Sequence, residues 1–457
     1  MSDHSGFRFD SGSLALLSDA LRRMEEGFSS LPAVEDDGAD LDAMRRVLLE
    51  VAERMQDNYP YFHPLYAGQM LKPPHPVARL AYSLAMYVNP NNHALDGGRA
   101  SSRMEKEAVA GIARMFGWDT HLGHLTGGGT MANLEALWIA GQLRPDEAVL
   151  ASEQAHYTHH RISGVLKLPF ESVPCDRLAR MDPAALEHRL KLGGVGTVVA
   201  TLGTTAIGSV DPLPEILALR ERYGFRVHVD CAYGGYFTLA SNLAPSARAA
   251  FDRIAEADSV VIDPHKHGLQ PYGCGCVLFR DPAVEKLYRH DSPYTYFTSG
   301  DLHLGEISLE CSRPGAAAVA LWATQELLPL VRGGEFSGIL TDCRKAALAL
   351  HERLAADSRF VVAFPPELDI VVWAVNAETP VRSSQLAREI FAESARQGLH
   401  LALAELPARF FWPEVGAPRT GATVVSLRSV VMKAPPAGWI DRFLEIVDKA
   451  HNAADAC

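Results

Sequence analysis

The sequence predicts an α/β fold, a central and mostly parallel sheet with helices on both faces. Three observations predict it. Short β-branched apolar runs, such as Val260 to Ile262, alternate with segments of helical periodicity. Each run ends in a polar or small-residue turn, which marks the carboxyl edge of a sheet strand. A Gly-rich turn, Thr126-Gly127-Gly128-Gly129-Thr130, stands directly before a helix-like segment. The expected units are an N-terminal helical segment (1–95), a large domain (96–337) and a small C-terminal α/β domain (338–457).

Composition narrows the class. The 457 residues are 47% hydrophobic and 21% charged, the balance of a globular chain with a large core. The formal net charge is −12 and the pI about 5.8, with no basic tract, so nucleic acid and anionic membrane surfaces are poor partners. No apolar run is long enough to span a bilayer. Met1 to Phe7 has neither the basic nor the apolar region of a signal peptide. Seven scattered cysteines, an odd number, fit reduced thiols in the cytoplasm.

In chain order, Leu14, Leu17, Leu21 and Met24, then Leu41, Met44, Val47, Leu48 and Val51, recur at helical spacing on either side of an acidic break. These faces need a partner, within the chain or on a second copy. Tyr61, Phe62 and His63 lie in a proline-kinked aromatic segment that forms a flat apolar wall or simple core packing. Helix follows over 76–88, then a turn-rich loop over 89–98. A charged helix over 104–116, containing Glu105, reads as a solvated face. His121 and His124 suit neither a zinc ligand set nor a helix face, and no metal site is expected. Gly129 and Thr130, at the start of a helix reaching Leu143, are the candidate phosphate ligands, because backbone N–H groups at a helix N-terminus attract anions.

Strands are expected over 148–152, 195–202, 226–230, 260–262 and 273–279, with a helix over 212–223. His156 follows the first strand; His159 and His160 read as helix-face residues near a turn. Thr204 and Thr205 follow the second, where hydroxyls can meet a ligand. Asp230 ends the third and Lys266 follows the fourth, both at the sheet edge where ligands bind in α/β folds. Desolvation favours the neutral amine of a lysine, and a neutral amine forms a Schiff base with a carbonyl. A carboxylate opposite a protonated pyridine nitrogen completes the pattern of pyridoxal phosphate (PLP) sites. The alternative for Lys266 is an ordinary loop lysine. Cys274 and Cys276 read as structural. The aromatic stretch 287–300 is long and polar enough for a mobile loop. A helix over 314–330 leads to a smaller α/β pattern. There, helices are expected over 342–355 and 384–397, with strands near 360–362, 369–373, 401–403 and 424–428.

Taken together, His228-Val229-Asp230-Cys231-Ala232-Tyr233-Gly234, Asp263-Pro264-His265-Lys266, Ala155-His156, Ala200 to Thr205 and Cys311-Ser312-Arg313-Pro314-Gly315 resemble the group II PLP-dependent decarboxylases. The resemblance runs from about Pro60 to about Pro435. It implies a fold-type I, aspartate-aminotransferase-like architecture and a homodimer packed through the N-terminal helices. It implies cofactor contacts from Gly129, Thr130, His156, Thr205, Asp230, Ala232, His265 and Lys266, with His156 stacked on the cofactor ring. It implies a loop tyrosine, Tyr294 or Tyr296, as proton donor. Substrate contacts fall to Tyr61, Phe62 and His63, and to Arg428, whose alternative is a surface arginine. The implied reaction is decarboxylation of an L-amino acid, aromatic in preference to glutamate. The rivals are a carbon–carbon lyase of the sphingosine-phosphate type, an aldehyde synthase (Phe297 lies beside Tyr296) and a non-catalytic PLP-binding protein.

Overall fold

The computed structural model describes residues 9–34, 38–289, 302–412, 423–433 and 438–455. Seven strands form the larger sheet: β1 (Leu122–Thr126), β2 (Ala148–Ser152), β3 (Phe170–Val173), β4 (Val195–Thr201), β5 (Arg226–Asp230), β6 (Ser259–Ile262) and β7 (Gly275–Phe279). Their order is β1-β7-β6-β5-β4-β2-β3, and only β7 runs against the others. Helices cover both faces, so β2, β6 and β7 are buried along their whole length and read as unbroken apolar runs. The carboxyl ends of β1, β2, β4, β5 and β6 therefore open on one edge.

A second, antiparallel sheet contains β8 (Phe360–Val362), β9 (Ile370–Val375), β10 (Ala402–Pro407) and β11 (Thr423–Val430), in the order β10-β11-β9-β8. The helices Glu335–Ala355, Pro380–Arg396 and Gly438–Asp455 pack with it around a core of its own. The first of these begins seven residues before the expected start at Asp342. In front of the larger sheet, the helices Leu14–Gly27 and Leu41–Met55 bury none of their residues. Their apolar side chains, Leu14, Met44, Val47 and Leu48 among them, face solvent.

Two expectations change here. The loop over 89–98 gives way to helix at Leu95, with a kink at Gly98, and this helix runs on to Met115. Glu105 on it is not solvated: it is 1% exposed. Its carboxylate accepts from Arg313 Nη1 at 2.8 Å, from the Leu125 N–H at 2.9 Å and from Asn92 Nδ2 at 2.6 Å. Arg313 also donates to the Leu125 carbonyl. This buried pair ties the helix, β1 and the Cys311–Pro314 segment together.

Breaking such a pair from one side strands the other charge in a dry interior, at a cost of about 3–5 kcal/mol. Glu105→Ala is therefore expected to lower the unfolding free energy by about that amount, read from the shift of a urea midpoint, with Glu105→Gln losing less.

Candidate active site

The carboxyl edge of the larger sheet encloses a cavity of about 480 Å³. One wall is the turn after β1. The helix Gly129–Leu143 starts there with no side-chain cap, so its first amides are left to a ligand. Gly127, Gly128, Gly129 and Thr130 all line the cavity. Gly129 has to be glycine, because a Cβ would lie 2.7 Å from Asp263 Oδ2.

The opposite wall carries Asp230, at the end of β5, 4% exposed. His159 Nε2 lies 2.8 Å from its Oδ2, Asn133 Nδ2 donates to the same oxygen at 3.3 Å, and the Ala232 N–H donates to Oδ1 at 3.1 Å. Burial alone would raise the Asp230 pKa. The hydrogen bond and charge of His159, helped by the Ala232 amide, outweigh it and hold the carboxyl far below the ordinary carboxylate range. His159 is thus a partner of the central carboxylate, not a bland helix-face residue. Behind it, His228 Nε2 meets Asn133 Oδ1 at 2.8 Å, and its Nδ1 meets Ser259 Oγ at 2.9 Å. Burial pushes the His228 imidazole down to about 3.

The third wall follows β6. Lys266 Nζ sits 3.0 Å from Asp263 Oδ2, and His265 Nε2 lies 3.6 Å from the same oxygen. The His265 ring stacks on Tyr272 at 4.5 Å. His156, after β2, also faces the cavity. Its Nδ1 is 2.7 Å from Thr158 Oγ1, and burial lowers its pKa, so the ring is neutral at neutral pH. Thr205, at the tip of the loop after β4, is exposed on the cavity side. Gly129, Thr130, His156, Thr205, Asp230, Ala232, His265 and Lys266 thus share one cavity.

Other expected site residues lie elsewhere. Arg428 is buried outside the cavity lining. It donates to the carbonyls of Thr205 (2.7 Å), Ala206 (2.9 Å) and Gly68 (2.9 Å), so it anchors the Thr205 loop. Tyr61 packs edge-on against Tyr66, Phe62 against Phe9 and His63 against Trp439, each at 4.9 Å, and none of the three lines the cavity. Tyr233 and Tyr272 are the tyrosines that do so among the described residues, Tyr272 stacked on His265. Tyr294 and Tyr296, with Phe297, fall outside the described residues. His124 lies in β1 and meets Glu135 at 2.9 Å. Among the described residues no group of three or more His, Cys, Asp or Glu could hold a metal ion. Cys274 and Cys276 are buried, and no described helix is long and apolar enough to cross a membrane.

These groups fit a phosphorylated pyridine aldehyde. An uncapped helix start faces the phosphate class of ligand, an ionised aspartate suits a protonated ring nitrogen, and an amine stands between them. Asp263 Oδ1 is a further buried oxygen with no hydrogen-bond partner among the described residues.

The comparisons agree with that chemistry. A family model described as "Pyridoxal-dependent decarboxylase conserved domain" matches residues 138–376, just over half of the chain. An L-tyrosine decarboxylase of Enterococcus faecium is 28% identical, across 77% of this chain and 76% of its own length. A probable L-tyrosine/L-aspartate decarboxylase of Methanopyrus kandleri is 26% identical, across 86% of this chain and 98% of its own. In fold, the crystal structure of Oryza sativa TDC with PLP and tryptamine superposes with a TM-score of 0.79 at 18% identity, covering 98% of this chain and 99% of that one.

The His228 imidazole gives a pH dependence. Its folded pKa, about 3, lies below the ordinary 6.5, so the unfolded chain takes up a proton that the folded chain refuses. Stability is then fully present above pH 6.5 and falls as pH drops toward 3, by about 1.4 kcal/mol per pH unit for this one group. Unfolding curves at pH 7, 6 and 5 check this, and His228→Gln is expected to flatten the slope.

Proposed function

The chain belongs to the pyridoxal-dependent decarboxylases, and from that premise we propose that it converts an aromatic L-amino acid, tyrosine foremost, to the amine and CO2. It is a PLP-dependent carboxy-lyase of amino acids; the proposal concerns the substrate and the residue roles. One observation carries it: Lys266, Asp230, His156 and the uncapped Gly128-Gly129 turn converge on a single cavity. Two further features favour an aromatic side chain. Tyr272 and His265 stack to form an apolar plate at the cavity wall, and tyrosine appears in the names of the relatives.

The roles follow from the groups. The first amides of the helix Gly129–Leu143, with Thr130, hold the cofactor phosphate. Asp230, kept ionised by His159, fixes a proton on the ring nitrogen. When bound, PLP supplies the electron sink that makes loss of CO2 feasible. His156, whose burial disfavours the charged ring, would pack against the cofactor ring and help to orient it. Lys266 would hold the cofactor through its amine, and a substrate amine would take that place in exchange. Asp263, 3.0 Å from Nζ, is placed to share the proton that this exchange moves. Arg428 fixes the loop carrying Thr205, which borders the ring. Proton return to the substrate carbon is assigned to Tyr294 or Tyr296.

A homodimer is part of the proposal, supported by the two N-terminal helices whose apolar faces lack cover. So are the three units expected over 1–95, 96–337 and 338–457, with the helices Leu95–Met115 and Glu335–Ala355 moving the two boundaries to just before Leu95 and Glu335, and a cytoplasmic location, which the six free thiols among the described residues favour.

Two measurements test this. With added PLP and a panel of L-amino acids, tyrosine is expected to exceed aspartate and glutamate in kcat/KM by about 100-fold or more. Lys266→Ala is expected to cost more than about 1,000-fold. Faster turnover of an acidic substrate would sink the aromatic assignment. In sedimentation, the wild type is expected as a dimer, and Leu48→Glu to weaken it by about 2 kcal/mol; a monomeric wild type would refute the assembly.

A further inference from the structure

Three consecutive buried residues just ahead of β9, Glu367-Leu368-Asp369, reach three different loops of the candidate site. Glu367 Oε2 accepts from the Val210 N–H at 2.7 Å, at the closing end of the loop that carries Thr205. Leu368 packs so tightly on Gly203 and Gly234 that a Cβ on either would lie 2.9 Å from its Cδ1. Asp369 does the most. Its Oδ1 accepts from Tyr233 Oη at 2.5 Å, and its Oδ2 lies 3.1 Å from His267 Nε2, off the line of a good hydrogen bond. Tyr233 lines the cavity three residues after Asp230, and His267 directly follows Lys266.

The surroundings leave these groups little room to move. Asp369 and His267 are fully buried, and the His267 ring is held edge-on between Tyr233 (5.0 Å) and Phe237 (4.9 Å). Arg428 and Lys433 supply the positive charge that faces Asp369 at longer range. A carboxylate in so dry a place is costly unless each oxygen is answered. Here Tyr233 answers Oδ1 by a hydrogen bond, while His267 faces Oδ2 by close packing alone, and the two belong to the segments that present Asp230 and Lys266. The strand order of the larger sheet sets those segments side by side, as β5 and β6. Asp369 arrives from the other sheet and fixes their relative height.

We propose that Glu367-Leu368-Asp369 is a positioning brace for the reaction, in which the Asp369 carboxylate sets the Lys266 loop and the Asp230 turn against each other through His267 and Tyr233. The brace touches neither substrate nor cofactor through Asp369. It rests on the residue roles proposed above, but not on the identity of the substrate.

The test uses the PLP-loaded protein and the variants Asp369→Asn, Tyr233→Phe and the two combined. Visible circular dichroism per bound PLP reports how the ring is held and needs no substrate, so it stays readable if the aromatic assignment fails. Lys266→Ala, which should lose the covalently linked PLP, checks the premise separately. Asp369→Asn is expected to unfold cooperatively, to bind PLP, to show altered dichroism, and to lose kcat by about 10- to 100-fold with little change in KM. Tyr233→Phe should show part of the same effect, and the double variant should be no slower than Asp369→Asn alone. Wild-type dichroism and kcat in Asp369→Asn would overturn the brace, as would losses that multiply independently in the double variant. If Asp369→Asn does not fold, Tyr233→Phe decides: folded, with unchanged dichroism and kcat, it overturns the proposal.

Discussion

A carboxylate buried at the end of a sheet strand has to be kept charged, and the site is built around that constraint. Asp230 is 4% exposed, a position that favours the neutral acid. His159 approaches from the helix Thr158–Leu166, Asn133 from the helix Gly129–Leu143, and the Ala232 amide from the turn that follows. His228 orients Asn133 in turn, and Ser259 orients His228. Ser259, His228 and Asn133 each bond to the next and the last to Asp230, so this chain favours one arrangement, while His159 Nδ1 has no hydrogen-bond partner among the described residues. The helix that supplies Asn133 also opens at the uncapped glycine turn. The two ends of the cavity are therefore fixed by one rigid element.

Asp263 plays the corresponding part on the neighbouring strand. Its carboxylate meets Lys266 and His265, and it presses on Gly129. A single group thereby sets the reach of the lysine and the depth of the turn. Glu105 and Arg313 then hold β1, from which the turn departs, against the Cys311–Pro314 segment. Buried polar contacts of fixed geometry specify an arrangement better than apolar packing, which tolerates repacking.

Much of this was legible in the sequence because it is local. A β-branched run followed by Asp or Lys gives both the strand and the edge near which that residue stands; this located Asp230 and Lys266, while an ordinary loop lysine stayed open for Lys266 until the other motifs were read with it. What escaped is non-local. His159 meets a residue 71 positions away, and Glu105 one 208 positions away. Charge on a helix reads as solvated until its partner is known. β3, with the sequence FESV and two exposed residues, has no apolar run to mark it as a strand. Arg428 was legible as a strand residue, but its three carbonyl contacts depend on the loop after β4 and on Gly68 of the N-terminal segment. Tyr61 to His63 were legible as an aromatic cluster, and composition could not say which cluster faced the cavity; Tyr272, on a turn, gave no periodic signal.

The cavity is electrically polarised, and that polarity decides how a ligand lies in it. Uncapped amides stand at the Gly128 end, where a helix dipole adds its positive pole. The ionised Asp230 and the Asp263–Lys266 pair occupy the other walls. A doubly charged phosphate placed beside Asp230 would face a buried carboxylate at low dielectric, where repulsion is weakly screened. At the turn, the same phosphate would meet the first amides of the helix Gly129–Leu143, which no side chain caps. On the proposed residue roles, a molecule with an anionic tail and a basic ring nitrogen would be oriented before any covalent contact formed. The lysine amine then lies along the wall between the two poles. Orientation by fixed charges needs no rearrangement at the moment of reaction, which is where preorganised sites gain most of their advantage over water.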